Sequence, residues 1–410
     1  MFMRKLLIAF IFLIAGTIVQ AQNKNLQNGI WRAIVQRADG RQVVFNFEVK
    51  DSAGKKILYI RNASERLLAD NISIKGDSVF IILPFFESQF RAAFVNENEL
   101  RGVWLKRLVD TYQVIPFFAF YNQPERFNST STATANVSGR WAVRFLHASK
   151  IEELSVGEFV QKGNYVSGTF LNETGDYRFL EGIMDGDSLK LSTFDGSHAF
   201  LFTAKVNGDS ITGQYFSGPT FHLDWVAHKD ANAQLPDEFS ITKMKPGESK
   251  FDFTFRDING KKVSIHDARF KNKVVLLQIM GSWCPNCMDE TQFLSGLYDK
   301  YKSKGLEIIG LAYERSTDFA RSQKSLRSFQ KRFNVKYPLL ITGVSVNDSM
   351  RAEKTLPQLE KIEGFPTTIF LNRKGEVEKI HTGFNGPGTG EHYEEQKKEF
   401  YALIDEMLEK

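Results

Sequence analysis

The feature that most constrains this chain is an internal repeat. Asn28-Gly-Ile-Trp31 returns as Ser138-Gly-Arg-Trp141, Lys75-Gly-Asp-Ser-Val79 as Asp185-Gly-Asp-Ser-Leu189, and Ser88-Gln-Phe90 as His198-Ala-Phe200, each 110 residues further on. Leu100-Arg-Gly102 against Ile211-Thr-Gly213 is displaced by one residue more. A shared offset is the mark of a duplicated unit rather than of chance similarity. Within each copy, runs such as Gln42 to Lys50 alternate apolar and polar, the period of a half-buried strand. Turn signals (Asp39-Gly40, Gly76-Asp77, Gly163-Asn164, Gly186-Asp187, Gly208-Asp209) separate the runs. Each copy therefore offers roughly eight short strands, which can close into a barrel or stack as a sandwich. The spacing predicts β units at 22–122 and 138–228, joined by a small polar linker at 123–137.

Composition fits that expectation. The 36 Phe suit sheet cores, where flat rings pack on pleated faces. Leu6 to Val19 is an almost unbroken apolar run behind Arg4 and Lys5, and Val19-Gln20-Ala21 fits a small-x-small cleavage site. Residues 1–21 read as a secretory signal peptide. The run is short of the roughly 20 residues that a membrane anchor needs, and no other segment is long and apolar enough to span a bilayer. A formal charge of +5, lowered by two once Arg4 and Lys5 are removed, is too weak a bias for nucleic acid. The expected location is the periplasm or cell envelope. An exported chain that relied on disulfide scaffolding would carry several Cys pairs. This chain has two Cys in all, Cys284 and Cys287, and both repeats lack any.

The pattern changes after a mixed, proline-containing linker at 229–246. Lys273 to Met280 is a buried-strand run, Asp289 to Lys304 has helical spacing, and Leu306 to Ala312 is a second buried strand. Phe293, Leu294, Leu297, Tyr298 and Tyr301 share one helix face, and Gly305 supplies the stop. Strand, helix and strand at these lengths imply a parallel α/β core over 247–410. The fold expected for the whole is multidomain: a duplicated all-β region followed by an α/β domain.

Trp283-Cys-Pro-Asn-Cys287 falls where the first of those strands gives way to the helix. In that setting the segment resembles thioredoxin-fold oxidoreductases of the TlpA/ResA type. Phe251 to Phe255 with Gly260 to Ser264 resembles their leading hairpin. Gly364-Phe-Pro-Thr-Thr-Ile-Phe370 followed by Asn372-Arg-Lys-Gly375 resembles their cis-proline strand and its hairpin. The resemblance covers about 40% of the chain. The repeats are separately similar, through Gly-x-Trp, to the first strand of lipocalin-type barrels, in which the Trp closes one end of the core.

The first thiol at a helix start faces unpaired N–H groups and the positive end of the helix dipole, so Cys284 is the expected nucleophile. Pro285 suits the first turn. Cys287, one turn further in, is the expected resolving thiol, and exchange passes through a mixed disulfide. The resemblance implies that Pro366 is cis, that the backbone of Phe365 pairs with substrate, and that Trp283 forms an apolar wall beside the thiols. The family more often has a smaller residue at the position of Phe365. Gln278 stands at the place of a buried Asp in thioredoxin and cannot take up a proton. Glu314 falls where the resemblance places an active-site Glu and is the expected base for Cys287. The alternative for Glu314 is a strand-end carboxylate paired with Arg315 or Arg321. Zinc is disfavoured, since two Cys without nearby His supply too few ligands, and no cofactor is expected. His147, His198, His222 and His228 are scattered and read as surface or turn residues.

Two functions stay open at this level. One is an exported thiol–disulfide oxidoreductase, working more as reductant on envelope protein disulfides or dithiols. The resemblance adds a membrane electron donor and service to cytochrome c maturation or disulfide repair. The other is a ligand- or partner-binding β protein with a regulatory redox domain. A peroxiredoxin-type peroxidase is disfavoured, because those enzymes place their reactive Cys in Thr-x-x-Cys.

Overall fold

Alternating apolar residues bury one face when the strands curl around it or when two sheets stack, and both repeats curl. A computed structural model of the chain describes residues 24–83, 87–147 and 152–410. The signal peptide assigned to 1–21 lies outside the described residues. In the first repeat nine antiparallel strands run from Gly29 to Tyr121, each paired with its neighbour in sequence. Gly29–Gln36 pairs on one side with Gln42–Ser52 and on the other with Tyr112–Tyr121, which rolls the sheet into a barrel-like form. The order breaks only between Glu65–Ala69 and Asn71–Lys75. In the second repeat the ring closes. Glu152–Lys162 pairs with Gly139–Leu146 and Tyr165–Asn172, completing eight strands, with the short strand Gly175–Asp176 appended to Tyr165–Asn172.

The two copies agree residue for residue at their start. Trp31 lies opposite Phe47, and Trp141 opposite Gly157. Both indoles are fully buried and each donates to the carbonyl four residues earlier, Trp31 to Gln27 at 3.0 Å and Trp141 to Val137 at 2.8 Å. Aromatic side chains fill both interiors, with Phe90 stacked on Phe117 in the first, and Phe170 tilted against Phe202 and edge-on to Trp225 in the second. Small barrels are held this way, by interdigitated side chains rather than covalent links.

The repeats are not independent. Phe194 of the second stacks on Phe45 of the first at 4.3 Å and meets Trp104 edge-on at 5.0 Å. The segment between them, which its composition presents as a plain spacer, carries a buried Arg126. Its guanidinium donates to the carbonyls of Ser192 and Arg61 and pairs with Glu181 at 3.3 Å.

The third unit has a seven-stranded mixed sheet. Val274–Met280, buried along its whole length, lies parallel to Leu306–Ala312 and antiparallel to Thr367–Leu371. A strand covered on both faces reads as a continuous apolar run, which is why it was legible. The active-site helix, Pro285–Tyr301, starts directly after the Cys284 position and ends through a short 3₁₀ turn at Gly305, which has φ +108°. The five apolar residues assigned to its inner face are all buried.

Candidate active site

The strand Val274–Met280 delivers Gly281-Ser-Trp-Cys to the start of the helix. Cys284 takes the N-cap position with extended backbone, and its Sγ accepts from the backbone N–H of Cys287 at 3.2 Å. That is one of the orphan donors of a helix N-terminus, directed at sulfur. Cys284 and Cys287 form a disulfide with Cα atoms 5.2 Å apart. Cys284 is 4% exposed and Cys287 fully buried.

The Phe365–Pro366 bond is cis. The Phe365 carbonyl oxygen lies 3.6 Å from Cys284 Sγ. Trp283 meets the Phe365 ring edge-on at 5.5 Å and donates its indole N–H to the Tyr313 carbonyl at 2.8 Å, which fixes it as one wall of the site. Trp283, Cys284, Phe365 and Pro366 are thus brought together.

Glu314 is also close, but its carboxylate is occupied. Oε1 accepts from the Ser282 backbone at 2.8 Å and Oε2 from the Ser282 hydroxyl at 2.7 Å. Burial pushes its pKa up, against those two bonds. Its role in the structure is to hold the loop leading into Cys284. It is not the exposed carboxylate of the alternative: Arg321 pairs instead with Glu87 of the first repeat.

A second carboxylate was missed. Glu290 sits three residues past Cys287, on the same helix face. It is fully buried, accepts from Gln278 at 2.8 Å and from Thr368 at 2.7 Å, and burial pushes its pKa up to about 7. Gln278 therefore works as a donor to a nearby acid instead of replacing one. The signal was available: Cys287, Glu290, Thr291 and Leu294 follow one helical stripe, and a Glu among core positions asks for an explanation.

The larger surprise is what covers the site. The second barrel's Asn172–Arg178 turn lies over the cysteines and the cis-proline loop. Asn286, between the two Cys, donates toward the carbonyls of Asp176 (3.3 Å) and Thr174 (3.5 Å). A Cβ at Gly364 would fall 2.5 Å from Thr174 Cγ2. One at Gly175, whose φ is +135°, would fall 2.0 Å from Asn286 Nδ2, so no side chain fits there. Arg178 ties all three units together. It donates to the Pro285 carbonyl at 3.2 Å, pairs with Asp289 of the active-site helix, and pairs with Glu65 of the first repeat at 2.5 Å. Its two acidic partners hold its charge firmly on, and burial pushes Asp289 up to about 7 in spite of the cation. A cavity of about 260 Å³ remains between this barrel and Cys284.

A Cys-x-x-Cys disulfide at a helix N-terminus beside the carbonyl that precedes a cis-proline, on a mixed sheet of this order, defines a thioredoxin-fold thiol oxidoreductase. The comparisons agree. The Redoxin family matches residues 245–397. The thiol-disulfide oxidoreductase ResA of Bacillus thuringiensis subsp. konkukian is 31% identical over 156 residues, 38% of this chain and 79% of that protein. ResA of Bacillus anthracis is 36% identical over 135 residues, 33% of this chain and 68% of its own length. ResA of Bacillus subtilis is 26% identical over 152 residues, 37% of this chain and 74% of its own. The chain belongs to the ResA-type family of thiol-disulfide oxidoreductases.

Proposed function

We propose that the protein is exported to the cell envelope and there reduces disulfides of partner proteins. Cys284 thiolate attacks a partner sulfur, forming a mixed disulfide and releasing one partner thiolate. Cys287 then attacks Cys284, releasing the second partner thiolate and leaving Cys284–Cys287 oxidised. Glu290, one turn from Cys287 and poised near neutral pH, stands beside Glu314 as a group to take the resolving thiol's proton, and Glu314 also holds the loop. Trp283, Phe365 and Pro366 form the surface that meets the partner. A dithiol donor at the membrane restores the pair, in the manner of proteins serving cytochrome c maturation.

The observation that carries this reading is Cys284 Sγ at the helix N-cap, 3.6 Å from the Phe365 carbonyl. The reducing direction is supported by the neutral Pro285-Asn286 dipeptide and by the burial of Cys284. Neither stabilises a thiolate, and it is a stabilised reduced form that makes such a pair an oxidant. The filled barrel interiors favour a docking and covering role for the repeats over ligand carriage.

Insulin-disulfide reduction and the equilibrium potential of the pair test the reading, with Cys284→Ser as control. A potential near about −270 mV or lower is expected; one near about −120 mV would overturn the direction. Absence of any exchange by the wild-type chain would overturn the function.

A further inference from the structure

The cavity over Cys284 is built largely by the second barrel. One of its walls is the turn Asp195–His198, which touches the redox loop: Ser197 Oγ lies 3.5 Å from the Trp283 carbonyl. Asp195 is buried and accepts from the backbone N–H groups of Ser197 at 2.7 Å and His198 at 2.6 Å. Its other oxygen holds His198 Nδ1 at 3.0 Å. These bonds, with the charge of nearby Arg178, keep Asp195 ionised although it is buried. An ionised carboxylate on Nδ1 fixes a proton there and leaves Nε2 as the open nitrogen of the ring. The imidazole lies on Phe200, 4.8 Å between centroids, and lines the same cavity as Cys284. About a third of the side chain is exposed, so the ring can exchange protons with water.

We propose that His198, held by Asp195, is the proton donor to the thiolate that leaves when Cys284 attacks a cysteine-type disulfide inside this cavity. The proposal rests on Cys284 and Cys287 being an exchanging pair. Cys284 sulfur forms a bond to one sulfur of R–S–S–R′, and the S–S bond breaks with its electrons on R′S⁻. As imidazolium, with its second proton taken from water onto Nε2, His198 passes that proton to R′S⁻, giving R′SH and neutral imidazole, which takes up a proton from water again. Attack by Cys287 on Cys284 then expels RS⁻, which is protonated in the same way. One substrate disulfide is reduced and the dithiol is oxidised. An alkyl thiol has a pKa of about 8.5, so its thiolate leaves poorly unless protonated, whereas a low-pKa aryl thiolate leaves unaided. The cavity volume admits a cysteine and its immediate neighbours, not a folded surface.

The test is leaving-group dependence. The full chain is reduced with dithiothreitol, freed of reductant and mixed with bis(2-hydroxyethyl) disulfide or with 5,5′-dithiobis(2-nitrobenzoate). For His198→Gln the alkyl rate is expected to fall by roughly 10²-fold, the low end for loss of an acid–base group, and the aryl rate by less than about twofold. Added imidazole is expected to restore the alkyl rate to His198→Ala. Equal changes with both disulfides, no change with either, or no rescue would overturn the role of His198. If the wild-type chain reacts with neither disulfide, the exchanging-pair reading itself falls, and the proposal with it. Both variants are compared with wild type at matched far-ultraviolet circular dichroism and Tm, so that equal changes report on His198 and not on unfolding.

Discussion

Replacing Arg178 by Met should uncover Cys284. The guanidinium is buried and reaches from the second barrel to groups on the other two units, so its loss breaks the bridge without leaving a large void. Removing one partner of a buried ion pair costs about 3–5 kcal/mol. Two details put this case at the lower end. Glu65 keeps a bond from Asn62 at 2.9 Å, and Asp289, already raised to about 7, can neutralise itself by taking a proton. About 3 kcal/mol corresponds to roughly a 100-fold shift toward an open arrangement of barrel and redox domain. The assay is alkylation of the reduced chain by a polyethylene-glycol maleimide, a reagent too large for the 260 Å³ cavity. When opening and closing are fast, its rate tracks the open population. Arg178→Met should react about 100-fold faster than wild type at high pH, and the gain should shrink as pH falls and Asp289 takes up a proton, which it does more readily once the cation that lowered its pKa is gone. An unchanged rate in a folded variant would show that the barrel does not govern access to Cys284.

Three further outcomes follow from the same geometry. Glu290 has a folded-state pKa raised from 4.5 to about 7, so the stability it contributes is complete below about 4.5 and lost as pH rises through 7. Glu290→Gln should therefore protect the strand Val274–Met280 from hydrogen exchange by up to about 3 kcal/mol at pH 8 and hardly at pH 4; equal protection at both would refute burial as the cause. Gly175→Ala should loosen the cover by at least roughly 1–3 kcal/mol, the cost of a strained backbone alone, read as faster maleimide alkylation and a lower Tm. His392 of the C-terminal helix bonds Glu158 of the second barrel at 2.9 Å, and that bond raises its pKa. The pair's contribution is complete below the ordinary His value of about 6.5 and is lost as pH rises through the raised one. Glu158→Gln should remove this pH dependence from hydrogen exchange at the interface.

What could be read beforehand was whatever a short stretch of chain decides for itself. The Trp31 and Trp141 strands declare themselves through alternation and a common offset. The turn at Cys284 is local, as is the apolar stripe from Phe293 to Tyr301. Glu290 lay within reach of the same helical arithmetic and was passed over in favour of Glu314, which sits at the end of the neighbouring strand. The cover was not legible. Arg178, Asp195 and His198 lie roughly 90 to 110 residues before the cysteines, in short polar turns like others of the repeats. No periodicity tells which turn of a barrel will meet which face of another domain. Arg126 was hidden for a related reason, since a single buried guanidinium leaves a polar segment looking like any spacer.

The absence of cysteine from both barrels has a consequence for how such a cover can exist. A reactive sulfur attacks whatever disulfide is held against it, and its mixed disulfides are open to any thiol nearby. A lid stitched by Cys pairs would be the active site's most available substrate, present at an effective concentration no free partner could match. Packing the barrels on Phe, Tyr and Trp instead makes the lid chemically silent toward the sulfur it shelters. The protein can keep its own nucleophile under a roof because that roof offers nothing to exchange.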